Sequence, residues 1–160
     1  MVTKSVSEPT VVCVTGLSAS DSPAPGVAVL RSLAESGMRS RHIGISYGVL
    51  DAGNYMSDLV SASYLAPYPN TGANALLERI REIHKIERID VILPTLDSEL
   101  DNYIEIEPQL RYLGIKLLLP QKASLALRDK PTLAEKIPAE IVRTPETVRI
   151  SDVSGPGCLE

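Results

Sequence analysis

The chain has 160 residues, 44% of them hydrophobic and 22% charged, and a formal net charge of −4. That length suits one domain and is short for two, with roughly 70% of the unfolded chain's surface available for burial. The acidic balance, the lack of any dense Lys/Arg run, and six Tyr without Trp or Phe exclude a basic or base-stacking nucleic-acid face, so the core must come from Val, Ile, Leu and Ala.

Residues 1–9 read as a loose polar arm. "VVCVT" (11–15) is a β-branched run typical of a strand buried on both faces. The loop "GLSASDSPAPG" follows, and then "GVAVLRSLAES" reads as a helix with Val27, Leu30 and Leu33 on one side and Gly37 as its stop. "HIGISY" (42–47) reads as a second strand, 48–58 as a loop, 56–61 as a helical turn, and "SYLAP" (63–67) as a short third strand. "NTGANALLERIREIHKIE" (70–87) is the clearest helix, with Leu76, Leu77, Ile80 and Ile83 on one face. Asn70 or Thr71 is its expected cap, and Glu78–Arg81 and Glu82–Lys85 its expected surface pairs.

"DVILP" (90–94) reads as a fourth strand and "TLDSEL" as an acidic loop leading into a helix. Glu107-Pro108 then reads as the start of another helical segment that Gly114 ends. "IKLLLP" (115–120) is a fifth strand, 121–128 and 131–137 are short helices, and 140–150 has strand character before a Ser/Gly/Pro-rich tail. Strands alternating with helices predict an α/β, Rossmann-like three-layer domain over 10–138, with a mainly parallel sheet of about five strands. Residues 139–160 then read as a linker or the start of a next domain. Ligands of such sheets gather at the carboxyl ends of the strands, which singles out the loops 16–26, 47–55 and 95–101.

Cys13 lies inside a strand and Cys158 in the tail, which is no disulfide framework, and His42 and His84 have no zinc-ligand spacing around them. No stretch reaches the ~18 apolar residues of a membrane span and the start lacks a signal-peptide core, so a soluble cytoplasmic protein with no membrane partner is expected. The loop from Gly16 to Gly26 can present backbone N–H groups to an anion or be a plain connection. It matches neither the G-x-G-x-x-G nor the P-loop spacing. Asp97 and Asp101 read as acids favoured at a helix N-terminus. Glu99 stands open between that reading and a ligand contact. Asp129-Lys130, on residues alone, reads as a solvated ion pair.

Three segments together resemble the N-terminal, pre-ATP-grasp domain of ATP-grasp ligases, nearest the group that includes the carbamoyl-phosphate synthase large chain. They are "VVCVTGLSASDSPAPGVAVLRSLAESG", "DVILPTLDSEL" and "GIKLLLPQKASLALRDKPTLAEKI", and the likeness spans residues 11–150. The resemblance implies that Lys130 reaches ATP, and that Glu99, with Thr95 beside it and the Gly16–Gly26 loop flanking, lies on the side of the acceptor substrate. It implies ATP and magnesium as cofactors of a longer parent, and none held by this chain alone. It also implies carboxylate activation as an acyl phosphate followed by attack of an amine or other nucleophile. No catalytic residue and no metal ligand is assigned within these 160 residues, and the chain by itself is expected to be inactive.

Expected partners are the remaining ATP-grasp domains, on the same chain or a split subunit, a small-molecule substrate and, as a further option, a second copy in a homodimer. Leu159-Glu160 reads as a vector remnant. The competing readings are a small nucleotide- or dinucleotide-binding module and a noncatalytic subunit of a split enzyme. Against the dinucleotide reading, the glycine triplet is missing and Asp51 lies far past the second strand.

Overall fold

A computed structural model describes residues 8–19, 23–127, 137 and 140–143. Those up to Leu119 form one compact unit and those from Pro120 a second, so the expected domain over 10–138 draws on both.

The first unit is an α/β domain built on five parallel strands: β1 (Thr10–Thr15), β2 (Ser40–Ser46), β3 (Ala62–Leu65), β4 (Val91–Leu93) and β5 (Lys116–Leu117). Their order in the sheet is β3-β2-β1-β4-β5. Val12, Cys13 and Val14 pair with β2 on one side and with Val91, Ile92 and Leu93 on the other. β1 is therefore central, which explains why its β-branched run is buried from Val11 to Thr15.

From β1 the chain steps outward through β2 to β3, then returns to β4 and proceeds to β5 on the far side. Parallel crossovers are right-handed, so this reversal of direction puts the connecting helices on opposite faces. Helix α1 (Gly26–Glu35) packs through Leu30 on Val12 and Val14. Helices α2 (Ala73–Glu87) and α3 (Asp97–Tyr112) cover the other face, where Val11, Cys13, Ile43, Ile45 and Ile92 meet Leu76, Ile80, Ile83, Tyr103, Ile106 and Leu110.

Several local expectations are corrected. The acidic stretch after β4 is no loop: α3 begins at Asp97 and runs unbroken to Tyr112 with Pro108 inside it. Proline in a helix interior costs about 3 kcal/mol. Burial of Tyr103 and Ile106 before it, and of Leu110 after it, holds both halves against one sheet face. Gly114, at φ 85°, ends this helix in a Schellman motif: its N–H reaches Arg111 O at 2.9 Å, and the Ile115 N–H reaches Leu110 O at 3.0 Å.

The helical turn expected at 56–61 is present, the Leu59 and Val60 N–H groups both donating to Met56 O at 2.9 and 3.0 Å, and a 3-10 turn at Ala52–Tyr55 precedes it inside the stretch expected to be loop. Residues 69–71 form a second 3-10 turn, and α2 starts after Gly72 with no side-chain cap from Asn70 or Thr71. Glu78 pairs with Arg81 as expected, but Glu82 pairs with Arg79 instead of Lys85. β5 is only two residues long. In the second unit, α4 (Lys122–Leu127) falls within the expected helix, whereas residues 140–143 are turn and irregular backbone instead of strand. The helix expected at 131–137 lies, apart from Ile137, outside the described residues, as do residues 144–150.

At the amino end of the sheet Glu87, the last residue of α2, is clipped to β2 and β3. Arg41 reaches its carboxylate at 2.5 Å and its carbonyl at 2.8 Å, and the Tyr64 hydroxyl donates to the other carboxylate oxygen. Burial works against the charge on Glu87. The hydrogen bonds from Tyr64 and Arg41, with the Arg41 charge, outweigh it and hold the carboxyl below its ordinary value. A depressed pKa contributes stability above the unfolded value of about 4.3, and that stability is lost as pH falls through the folded value. Glu87→Gln is therefore expected to lose about 1–2 kcal/mol near pH 7, given the partial exposure of Arg41. The gap from the parent sequence should close as urea melts are repeated at falling pH. An equal gap at pH 7 and pH 3 would show that the charge is not what the clip uses.

Candidate functional site

Strand order reverses between β1 and β4, and open α/β sheets hold ligands in the crevice at such a switch point. Two loops form its walls here: Gly16 onward from β1, and Pro94-Thr95-Leu96 from β4.

The β1 wall depends on two close approaches of backbone. Gly16 has φ 67°, and a Cβ there would lie 2.4 Å from Thr95 Oγ1. At Gly26, the first residue of α1, a Cβ would lie 2.1 Å from Thr15 O and 2.3 Å from Gly16 O. The amide of Gly26 donates to Gly16 O at 3.1 Å. Helix α1 thus starts directly on the end of β1. The loop between them is drawn down as well: Leu17 is fully buried, its side chain covers the bare Gly44 of β2, and its carbonyl accepts the Gly53 N–H at 3.0 Å.

The β4 wall is organised by Glu99. It occupies the first turn of α3 and is completely buried. Its Oε1 accepts the Thr95 N–H at 2.8 Å, the Leu96 N–H at 3.0 Å and the Thr15 hydroxyl. Oε2 accepts the Tyr47 hydroxyl. Thr15 Oγ1 also accepts from Thr95 N at 2.9 Å, while Thr95 Oγ1 donates to Thr15 O at 2.9 Å. The carboxylate therefore ties β1, β4, α3 and the end of β2 into one network. The bond to Leu96 is half of a capping box, in which an N3 glutamate reaches back to the N-cap amide. Asp97 and Asp101 lie on the exposed side of α3, where the helix dipole favours acids.

Three further groups feel the charge of this carboxylate. Burial, and then the nearby Glu99 charge, push the phenol of Tyr47 above its ordinary value. The same two causes, in the same order, act on Tyr103 and on the fully buried Cys13 thiol, so all three keep their protons across the physiological range. Tyr47 leaves the network toward solvent, its ring stacking on that of Tyr68 with centroids 6.1 Å apart.

Thr95, Glu99, Gly16 and Gly26 are therefore brought together at the switch point. Lys130 lies outside the described residues. Tyr47 and Tyr103 had no signal in the sequence beyond Tyr47's place at the end of a strand. Two surface hollows lie elsewhere. One of about 200 Å³ opens beside the edge strand β3, next to Val49, Tyr55 and Leu65, and one of about 420 Å³ lies beside β5 at Arg111 and Lys116. Among the described residues, no group of three or more His, Cys, Asp or Glu converges as a metal site, and no helix is long and apolar enough to cross a membrane. No protein-family model matches the chain, and no curated protein matches it.

Proposed function

We propose that this chain is the substrate-side, pre-ATP-grasp domain of an ATP-dependent ligase related to carbamoyl-phosphate synthases, working in the cytoplasm. The observation that carries the reading is the placement of "PTLDSEL": in a parallel β3-β2-β1-β4-β5 sheet it falls at the carboxyl end of β4, across the switch point from Gly16. Thr95 joins the two walls through its hydroxyl on Thr15 O, the Gly16–Gly26 turn lies opposite, and Glu99 sets the position of both through Thr15 and the Thr95 amide.

The described residues do not offer a set of carboxylates for magnesium. On this reading the nucleotide and its metal are held by the remaining ATP-grasp domains, on the same or a partner chain, with Lys130 contributing a compact cation toward the phosphates. ATP bound there supplies the phosphoryl group that activates a carboxylate. This chain's own contribution is to receive and orient the second, small-molecule substrate.

Two measurements test the reading. The 160-residue chain, given ATP, magnesium and a panel of acids and amines, should release only background phosphate, and robust turnover would overturn the proposal. In the parent-length enzyme, Lys130→Ala should weaken ATP binding roughly ten- to a hundredfold, the loss expected from one charge-assisted contact. Unchanged ATP titration and turnover would leave Lys130 a solvated surface charge.

A further inference from the structure

We propose that Tyr47 and Tyr103 are alternative hydrogen-bond donors to Oε2 of Glu99. Exchanging one for the other lets Tyr47 swing out of the crevice without leaving the buried carboxylate oxygen bare. The two oxygens of Glu99 are unequally served. Among the described residues Oε1 accepts from Thr15, Thr95 and Leu96, whereas Oε2 accepts from Tyr47 alone. Tyr103 stands one helical turn further along α3, on the same face as Glu99. It is fully buried, and its hydroxyl has no hydrogen-bond partner among the described residues. Buried hydroxyls are nearly always paired, so an idle one on the same helix face as a carboxylate, near enough to feel its charge, is a donor held in reserve. Burial and the Glu99 charge keep its proton in place to be donated.

Tyr47 has the opposite character. It is half-buried, follows directly on the last residue of β2, and carries its ring against Tyr68, which is 62% exposed. A side-chain rotation takes it out to solvent. With Tyr103 in its place, the charge on Glu99 stays paired while the space that Tyr47 fills at the end of β2 opens. Tyr47 is then a positioning residue of the crevice, a gate with its own replacement built into α3. The functional meaning of this gate rests on the crevice being the substrate site proposed above.

A double-mutant cycle on the chain itself tests the exchange, using urea melts of Tyr47→Phe, Tyr103→Phe and the pair. Each single change should alter the unfolding constant by less than about threefold, because one hydroxyl remains for Oε2. The double change should raise it about tenfold or more beyond the product of the singles. Additive effects, with Tyr47→Phe alone showing the full loss, overturn the proposal. As a second readout, the ring Cζ resonance of Tyr103, followed in tyrosine-labelled protein, should move when Tyr47 becomes Phe, as its hydroxyl gains a partner. An unmoved resonance overturns the proposal too. Neither measurement involves substrate, so an additive cycle removes the gate and leaves the ligase reading standing, and a failed ligase reading leaves the cycle unaffected.

Discussion

Glu99→Ala is expected to destabilise the chain by about 3–5 kcal/mol, the largest loss from any single polar side chain in the described structure. The substitution leaves two backbone amides, Thr95 and Leu96, and the hydroxyls of Thr15 and Tyr47 without their common acceptor. It does so at a fully buried position, where water does not replace the lost partner. Glu99→Gln keeps the shape. Its carbonyl oxygen can serve the three donors on the Oε1 side, and its amide can donate to the Tyr47 hydroxyl, so a loss of about 1–2 kcal/mol is expected. Chemical denaturation separates the two. Equal, small losses for both variants would mean that Glu99 is not the hub of the network. The comparison also decides how function should be probed: effects of Glu99→Gln on the second substrate can be read in a folded protein, whereas Glu99→Ala mixes them with unfolding.

Gly26→Ala should be nearly as damaging, for a steric reason. The new methyl would be 2.1 Å from Thr15 O and 2.3 Å from Gly16 O, against backbone that has no rotamer to change. Helix α1 must then lift from the end of β1, and the packing of Val27 and Leu30 loosens with it. A loss of about 3 kcal/mol is expected, on the order of 10 °C in melting temperature for a chain of this size. Gly37→Ala is the control. Its φ of 70° strains an alanine, but nothing lies within 4 Å of the added methyl, so only about 1–2 kcal/mol is at stake. If Gly26→Ala melts no lower than Gly37→Ala, the close approach of α1 to β1 is not a real constraint.

Local residue pattern fixes the kind of layer and the places where helices stop. "VVCVT" is legible as a strand buried on both faces because a parallel sheet covered on both sides tolerates few polar residues, and "HIGISY" is legible as a second strand. Leu76, Leu77, Ile80 and Ile83 are legible as one helix face because burial recurs with the helical period. Gly37 and Gly114 are legible as stops because only glycine takes positive φ without strain. The "PTLDSEL" segment is legible as the end of a strand in an α/β sheet, and it is the resemblance to ATP-grasp ligases that singles out Thr95 and Glu99 within it.

Tertiary structure decided the rest. Pro108 signals a helix start locally, yet α3 runs through it, because Tyr103, Ile106 and Leu110 are held against the sheet on both sides of the proline. Gly26 looks like an ordinary loop residue until the helix it opens is seen resting on the carbonyls of Thr15 and Gly16. Above all, nothing in the residues around Glu99 says that its side chain points inward. Thr15 lies 84 positions away in sequence and Tyr47 lies 52, and only the parallel pairing of β1 with β2 and β4 brings their hydroxyls to one carboxylate. Local pattern reports burial and period. The partners of a buried charge are set by strand order and register, which are properties of the whole sheet.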